Sequence, residues 1–244
     1  MQQPDGTRRR GLTRQAVVAR ALEIADAEGL EAVSLRRLAS ELGVTPMALY
    51  RHVRDKQDLV NAMTEAVLED LDIMAGVRPS MRWTEQMRRG LMNLRDQMVA
   101  RPVALPLMIA YSGDGSPGFW RLSEAFLGLL LGAGFSRRDA AALFGILSNL
   151  VAGYLMLRRA PGQPAVEVDL VRRRVELAWL SLPRAEYPHT VESARELADA
   201  MVSDPDRWWR ETVDLIVFGL EAMLERRSRR PRTASGPEPG GASA

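Results

Sequence analysis

The chain has 244 residues, 46% of them apolar and 26% charged, a balance that suits one or two folded domains. It holds no cysteine and only two histidines, His52 and His189, which excludes disulfide frameworks and thiolate chemistry and leaves little room for zinc or imidazole catalysis. A net charge of +2 is too small to argue for nucleic acid by itself, so the placement of the basic residues must decide; Lys56 is the only lysine among 33 of them.

Residues 1–12 read as a flexible basic arm: Arg8, Arg9 and Arg10 sit in a polar stretch with no apolar run behind them, so no secretory leader is expected. The triplet is either a DNA-touching arm or a solubilising tail. A first helix starts with Thr13 as N-cap and runs to Glu28, closed by Gly29, with Val17, Val18, Ala21, Leu22 and Ala25 as its apolar stripe. Ser34 caps a short second helix through Glu41, and Thr45 followed by Pro46 opens a third through His52. Asp55 caps a longer fourth helix whose apolar face extends to Leu71 and Met74. Gly76, Pro79 and Ser80 then break the pattern, so one domain is expected over 13–75 and a second over 76–231. In the second domain helices are expected at about 84–100, 102–111, 117–133, 136–159, 166–182, 190–202 and 205–229, with Ser136 and Asp139 as a capping box and Asp204 before Pro205 as another cap. The stretch 160–165 reads as a loop and 232–244 as a disordered tail. Apolar residues recur at three and four and never alternate for long, so the fold is expected to be all-α.

Two short helices joined by Leu42, Gly43 and Val44 have the shape of a helix-turn-helix. Leu35, Leu38, Ala39 and Leu42 pack the pair, and Gly43 supplies the left-handed turn. The second helix would then offer Thr45, Pro46, Met47 and Ala48 to a major groove, with Tyr50, Arg51 and His52 one turn later.

The run from Ser34 to Leu59, SLRRLASELGVTPMALYRHVRDKQDL, resembles the DNA-binding domain of the tetracycline-repressor (TetR) family, together with the preceding helix. More loosely, Gly134-Phe135-Ser136 with its following helix, and Asp214 to Leu224, are similar to that family's effector domain. The resemblance implies an all-helical homodimer that binds double-stranded operator DNA and holds a ligand in the effector domain. It places Arg36 at a base- or phosphate-contacting position, Thr45, Pro46, Met47 and Ala48 at the base-facing start of the recognition helix, and Tyr50, His52 and Lys56 against phosphates. Of the base-facing four, only Thr45 carries a hydrogen-bonding group; Met47 and Ala48 offer apolar contact. Competing readings remain for several of these residues: Tyr50 as a half-buried core aromatic, His52 as packed against the fourth helix, Arg37 as merely solvated, and the basic run Arg226 to Arg232 as a solvated helix end.

The effector half is rich in large apolar side chains, which points to an apolar or aromatic organic ligand. Met98, Met108, Trp120 and Phe126 are the expected lining, with Asn149 as orienting hydrogen-bond partner. In rough register with members that bind a magnesium-chelated drug, Asp72 replaces a pocket histidine and Phe126 a glutamine, so neither that drug nor a metal is expected here. No cofactor is expected. Gly145 and Gly153 on one helix, with Ile216, Leu220 and Met223 on the last, are expected to build a four-helix dimer interface. The uncharged run 140–157 is long enough to be weighed as a membrane span; a helix buried in a core or interface is preferred. GDGSPG at 113–118 is a literal dinucleotide fingerprint, but no strand follows its helix, so a loop is expected. The expected function is a cytoplasmic, ligand-responsive transcriptional regulator without enzymatic activity. Repression is the favoured mode and activation stays open, as does, more remotely, an all-helical enzyme or carrier with a vestigial DNA-binding domain.

Overall fold

The computed structural model describes residues 12–111, 115–157, 165–202 and 205–228. Among these residues there are twelve α-helices, one short 3-10 turn and no strand. The arginine triplet at 8–10, Gly113 and Asp114 of the GDGSPG motif, residues 160–164 of the expected loop, Asp204 and the C-terminal tail lie outside the described residues; Ala165 already begins a helix.

The first four helices are α1 (Arg14–Glu28), α2 (Leu35–Glu41), α3 (Pro46–Tyr50) and α4 (Lys56–Glu69). Each starts at the side-chain cap its sequence signals. Thr13, Ser34, Thr45 and Asp55 accept hydrogen bonds from the backbone N–H groups of Ala16, Arg37, Ala48 and Asp58. Gly43 adopts φ of 64° and lets Val44 N–H reach back to the Ala39 carbonyl, closing α2 and turning the chain into α3. Val17, Ala21, Leu38, Leu49, Val53 and Leu59 bury their side chains together beneath the two short helices.

Two expectations fail here. The third helix ends at Tyr50, so His52 lies in the following turn and not on the recognition helix; its N–H caps back to Leu49 O. The fourth helix stops at Glu69 rather than continuing through Met74. The next helix supplies substitute partners for that backbone. Gln97 accepts from Asp72 N–H at 2.8 Å and donates to Asp72 O at 2.9 Å, while Asn93 donates to the carbonyls of Ile73 and Ala75. Side chains thus satisfy groups that a longer helix would have paired within itself.

The remaining helices are α5 (Trp83–Ala100), α6 (Ala104–Ala110), α7 (Pro117–Gly132), α8 (Arg137–Leu157), α9 (Ala165–Leu180), α10 (Pro188–Glu192), α11 (Ala194–Val202) and α12 (Pro205–Ser228). The segment expected at 190–202 is two helices broken at Ser193, and the first of them starts at Pro188 and so includes His189. Helix α4 packs on α1 at one side and on α6 and α7 at the other, so it belongs to both halves of the molecule. Helices α5, α7, α8 and α12 form the second core around Met87, Leu91, Leu130, Leu147, Val213 and Val217.

Helix α8 is long and apolar enough to cross a membrane by length and composition. It is not buried all round. Ala140, Leu143, Leu147, Val151 and Tyr154 enter the core, whereas Ile146, Leu150 and Met156 face outward.

Candidate nucleic-acid interface and ligand cavity

Helix α3 stands at the surface of the N-terminal half. Met47, at its second position, is 76% exposed, the most open of the large apolar side chains; Thr45, Pro46 and Tyr50 are also exposed, and Ala48 is half-buried. The Thr45 hydroxyl oxygen accepts from Ala48 N–H at 3.2 Å and so is engaged in capping α3. Around this helix lie exposed basic side chains: Arg36 on α2, Arg51 and Arg54 in the turn, and Lys56 as the first residue of α4. Arg54 was not singled out from sequence. Its guanidinium lies 3.8 Å from the Asp58 carboxylate in an ion pair, yet its side chain stays 86% exposed.

Arg37, expected to be solvated, is instead held in a network. Its guanidinium pairs with Glu28 and Glu41, and Arg20 reaches the same Glu41. Hydrogen bonds from Arg37 hold the carboxyls of Glu28 and Glu41 below the usual carboxylate range, with Arg20 adding to the effect on Glu41. Among the described residues around this helix, the basic charge left open for an anionic partner is therefore that of Arg36, Arg51 and Lys56, with Arg54 loosely paired to Asp58.

The turn after α3 is clamped from α1. Arg14 donates to both carboxylate oxygens of Asp58, at 2.8 and 3.1 Å, and to the His52 carbonyl at 2.5 Å. Asp58 also accepts from Arg54 N–H at 2.8 Å. Asp58 is the third residue of α4, so one carboxylate ties α1, the turn and α4 into a single body. The Arg14 hydrogen bonds, helped by the Arg54 N–H and opposed by desolvation, lower the Asp58 pKa from 3.8 to about 2. A carboxyl lowered on folding adds stability that is complete above about pH 4 and fades as pH falls toward about 2. With Arg14 half exposed, the contribution is about 1–2 kcal/mol. Asp58→Asn should lower stability by that amount at pH 7 and flatten the stability curve between pH ~4 and ~2. Urea titrations across that range check this; a variant as stable as wild type at pH 7 would refute the clamp.

Two cavities adjoin α4. A cleft of about 410 Å³ is lined by Thr64 and Leu68 from α4, Met108 and Tyr111 from the end of α6, Gly115, and Phe119 and Trp120 from α7. The wider groove beside it, about 720 Å³, runs between α1, α4 and the α6–α7 junction and shares Tyr111 and Gly115 with the cleft. Gly115 lets the Trp120 indole lie close to the backbone; a Cβ there would come within 2.6 Å of Trp120 Nε1.

Of the five side chains expected to line a ligand site, Met108 and Trp120 border the cleft. Met98 is buried in the core on α5. Phe126 is also core, bordering only a gap of about 20 Å³, because the inner face of α7 packs against α5 and α8. Asn149 falls on the outward face of α8, one helical turn from both Gly145 and Gly153, and lines none of these cavities. Asp72 is exposed in the turn after α4 and also lies apart from the cleft. Among the described residues no group of three or more His, Asp or Glu is placed to hold a metal ion. Sequence reasoning missed Thr64, Leu68, Tyr111 and Phe119, which meet only through tertiary packing.

The expected dimer residues divide in the same way. Gly145 and Gly153 face outward or nearly so, with open space where a Cβ would stand. Leu220 is 3% exposed and belongs to the protomer's own core, and Ile216 packs against that core. The outward apolar residues of α12 are Leu215 and Phe218, with Trp208 and Met223 less exposed. The spacing of seven and three residues from Trp208 through Leu215 to Phe218 was available in the sequence.

Comparison with known proteins agrees with this architecture. Residues 17–63 match the family model described as bacterial regulatory proteins, tetR family, and residues 77–224 match the tetracyclin repressor-like C-terminal domain. The tetracycline repressor protein class E of Escherichia coli is 30% identical over 220 residues, spanning 88% of this chain and 93% of that protein. The transcriptional repressor DrrR1 of Streptomyces coeruleorubidus is 52% identical over 56 residues, 23% of this chain and 21% of its own. Among solved structures, the Streptomyces coelicolor protein ActR in complex with actinorhodin superposes with a TM-score of 0.73 at 30% identity, covering 87% of this chain and 98% of ActR. With the second family model spanning more than half its length, this chain belongs to the TetR family of bacterial transcriptional regulators.

Proposed function

We propose that the chain is a homodimeric repressor that occupies a near-palindromic operator and leaves it when a small organic molecule enters the cleft beside α4. The observation that carries this is the double engagement of α4. Its start is clamped to the recognition-helix turn through Asp58 and Arg14, and its later turns form one wall of the cleft. A ligand that fits better with α6 and α7 displaced from α4 favours a different setting of the reading heads. It acts only through its differential affinity for the two settings. In a dimer that shift changes the distance between two heads that must match half-sites about one helical turn apart. The known ActR–actinorhodin complex supports an organic effector for a protein of this fold. Since the partner is chromosomal DNA, the protein works in the cytoplasm, and no catalytic step is part of this reading.

In the reading head, Thr45, Pro46, Met47 and Ala48 meet base edges, Arg36 reads a base from α2, and Tyr50, His52 and Lys56 engage phosphates, joined by Arg51 and Arg54. Lys56→Ala should weaken binding to all DNA sequences and reduce the salt slope by about one unit. Arg36→Ala should cost about 1–3 kcal/mol and relax preference at one operator position per half-site. Gel-shift titrations on an operator selected from random-sequence DNA, against scrambled DNA and across salt concentrations, test both. If wild type shows no sequence preference, the repressor reading is wrong. Equal losses for Arg36→Ala on both DNAs would place Arg36 on a phosphate instead.

A further inference from the structure

The groove that adjoins the cleft holds a carboxylate with one oxygen unused. Glu65 Oε1 accepts from Gly118 N–H at 2.9 Å, at the start of α7. Glu65 Oε2 is buried and accepts no hydrogen bond. A buried carboxylate oxygen without a partner forfeits its hydration, and a cation or hydrogen-bond donor arriving there recovers it.

The surroundings specify what such a donor must look like. Glu69, one turn further along α4, lines the same groove. Arg14 also borders the groove, but its guanidinium is engaged by Asp58 and the His52 carbonyl. Among the described residues that line the groove, the remaining charge is therefore negative, from Glu65 and Glu69. Tyr111 sits where groove and cleft meet, and Phe119 and Trp120 continue as an aromatic wall into the cleft. Aromatic faces attract flat apolar bodies and cations alike.

We propose that the effector is a flat, largely apolar molecule bearing a protonated amine, with its ring system in the Phe119–Trp120 cleft and its ammonium donating to Glu65 Oε2. This rests on the reading of the cleft as the effector site and adds the charge of the ligand to it. An ammonium at Glu65 would also touch the contact between α4 and the start of α7, so the charged end of the ligand sits at the joint through which the reading head is set.

The probes are two amines, doxorubicin and anthracenylmethylamine, each paired with its N-acetyl derivative, which keeps the rings and loses the charge. Binding is followed by fluorescence titration on the full-length protein without DNA, because both ring systems intercalate. Glu65→Gln is the test variant: its amide oxygen still accepts from Gly118 N–H, and its melting temperature reports on the fold. In wild type at least one amine should bind ten-fold or more tighter than its N-acetyl partner. Glu65→Gln should remove that preference by weakening the amine alone. Equal binding of amine and N-acetyl forms, equal weakening of both by Glu65→Gln, or no binding by any of the four compounds overturns the proposal. Operator binding measured in parallel separates the two readings. If the operator is bound and neutral aromatic compounds that leave free DNA unchanged release it, the effector site stands and only its charge preference falls.

Discussion

Phe218→Glu should turn the protein into a monomer of 27.1 kDa that no longer holds its operator. Phe218 and Leu215 are 70% and 72% exposed in the protomer, while Val213, Val217 and Leu220 on the same helix are buried. Helix α8, which meets α12 where Tyr154 packs against Trp209, also has an outward face, where Ile146, Leu150 and Met156 flank Gly145 and Gly153 and nothing stands within 4 Å of either glycine's missing Cβ. An apolar surface made by two adjacent helices is costly to leave in water and suits a second copy of itself. In a two-fold interface one substitution introduces two carboxylates, each desolvated without a partner, at several kcal/mol each. Dimer affinity should fall more than about a hundred-fold. Operator binding should fall with it, because linking two reading heads is worth roughly 10²–10⁴ in affinity. Sedimentation equilibrium and gel shift on the same sample check both. Leu220→Glu is the contrasting substitution. Its side chain lies in the protomer core, so the expected result is loss of the fold, seen by circular dichroism, rather than a folded monomer. A Phe218→Glu protein that still sediments as a dimer would show that another surface makes the contact.

The contrast between Phe218 and Leu220 also marks how far the sequence could be read. Caps are local chemistry, so Thr13, Ser34, Thr45 and Asp55 located four helix starts, and Gly43 located the turn between α2 and α3. Thr45, Pro46, Met47, Ala48 and Tyr50 followed from the same local pattern, whereas Arg36 and Lys56 came from the resemblance to the TetR family; all are exposed on or beside α2 and α3 except half-buried Ala48, and His52 falls in the turn. Periodicity identifies an apolar stripe but not what covers it. Helices α8 and α12 are apolar on more than one face, and the choice between own core and partner depends on how α5 and α7 pack against them. That is why Leu220 was assigned outward and Asn149 inward, each to the wrong face. The cleft was less legible still. Thr64, Met108 and Trp120 come from three helices, and no local spacing announces their meeting. Where α4 ends was set by Asn93 and Gln97, more than twenty residues later in the chain, which take over its backbone partners.

Gly118→Ala should lower the melting temperature and weaken operator binding in the absence of any effector. Gly118 lies in the first turn of α7, where that helix crosses α4. A Cβ built on it would stand 2.5 Å from Leu68 Cβ and 3.1 Å from the Leu68 carbonyl carbon. Neither is the end of a flexible side chain, so the helices themselves must separate. Overpacking of this kind costs about 1–3 kcal/mol, or about 3–10 °C for a chain of this size. The same displacement stretches the Gly118 N–H to Glu65 bond, the polar tie between α7 and α4. Moving α7 off α4 is the change attributed above to the effector, so the variant should hold its operator about ten-fold more weakly and respond less to any releasing ligand. Gly128→Ala on the same helix is the control: nothing lies within 4 Å of its Cβ position, and alanine there should stabilise by about 0.5–1 kcal/mol. Differential scanning fluorimetry and gel shift on the two variants decide the matter. If Gly118→Ala melts and binds operator like wild type, the α4–α7 contact is not the joint through which the cleft sets the reading heads, and the coupling must run through α6 instead.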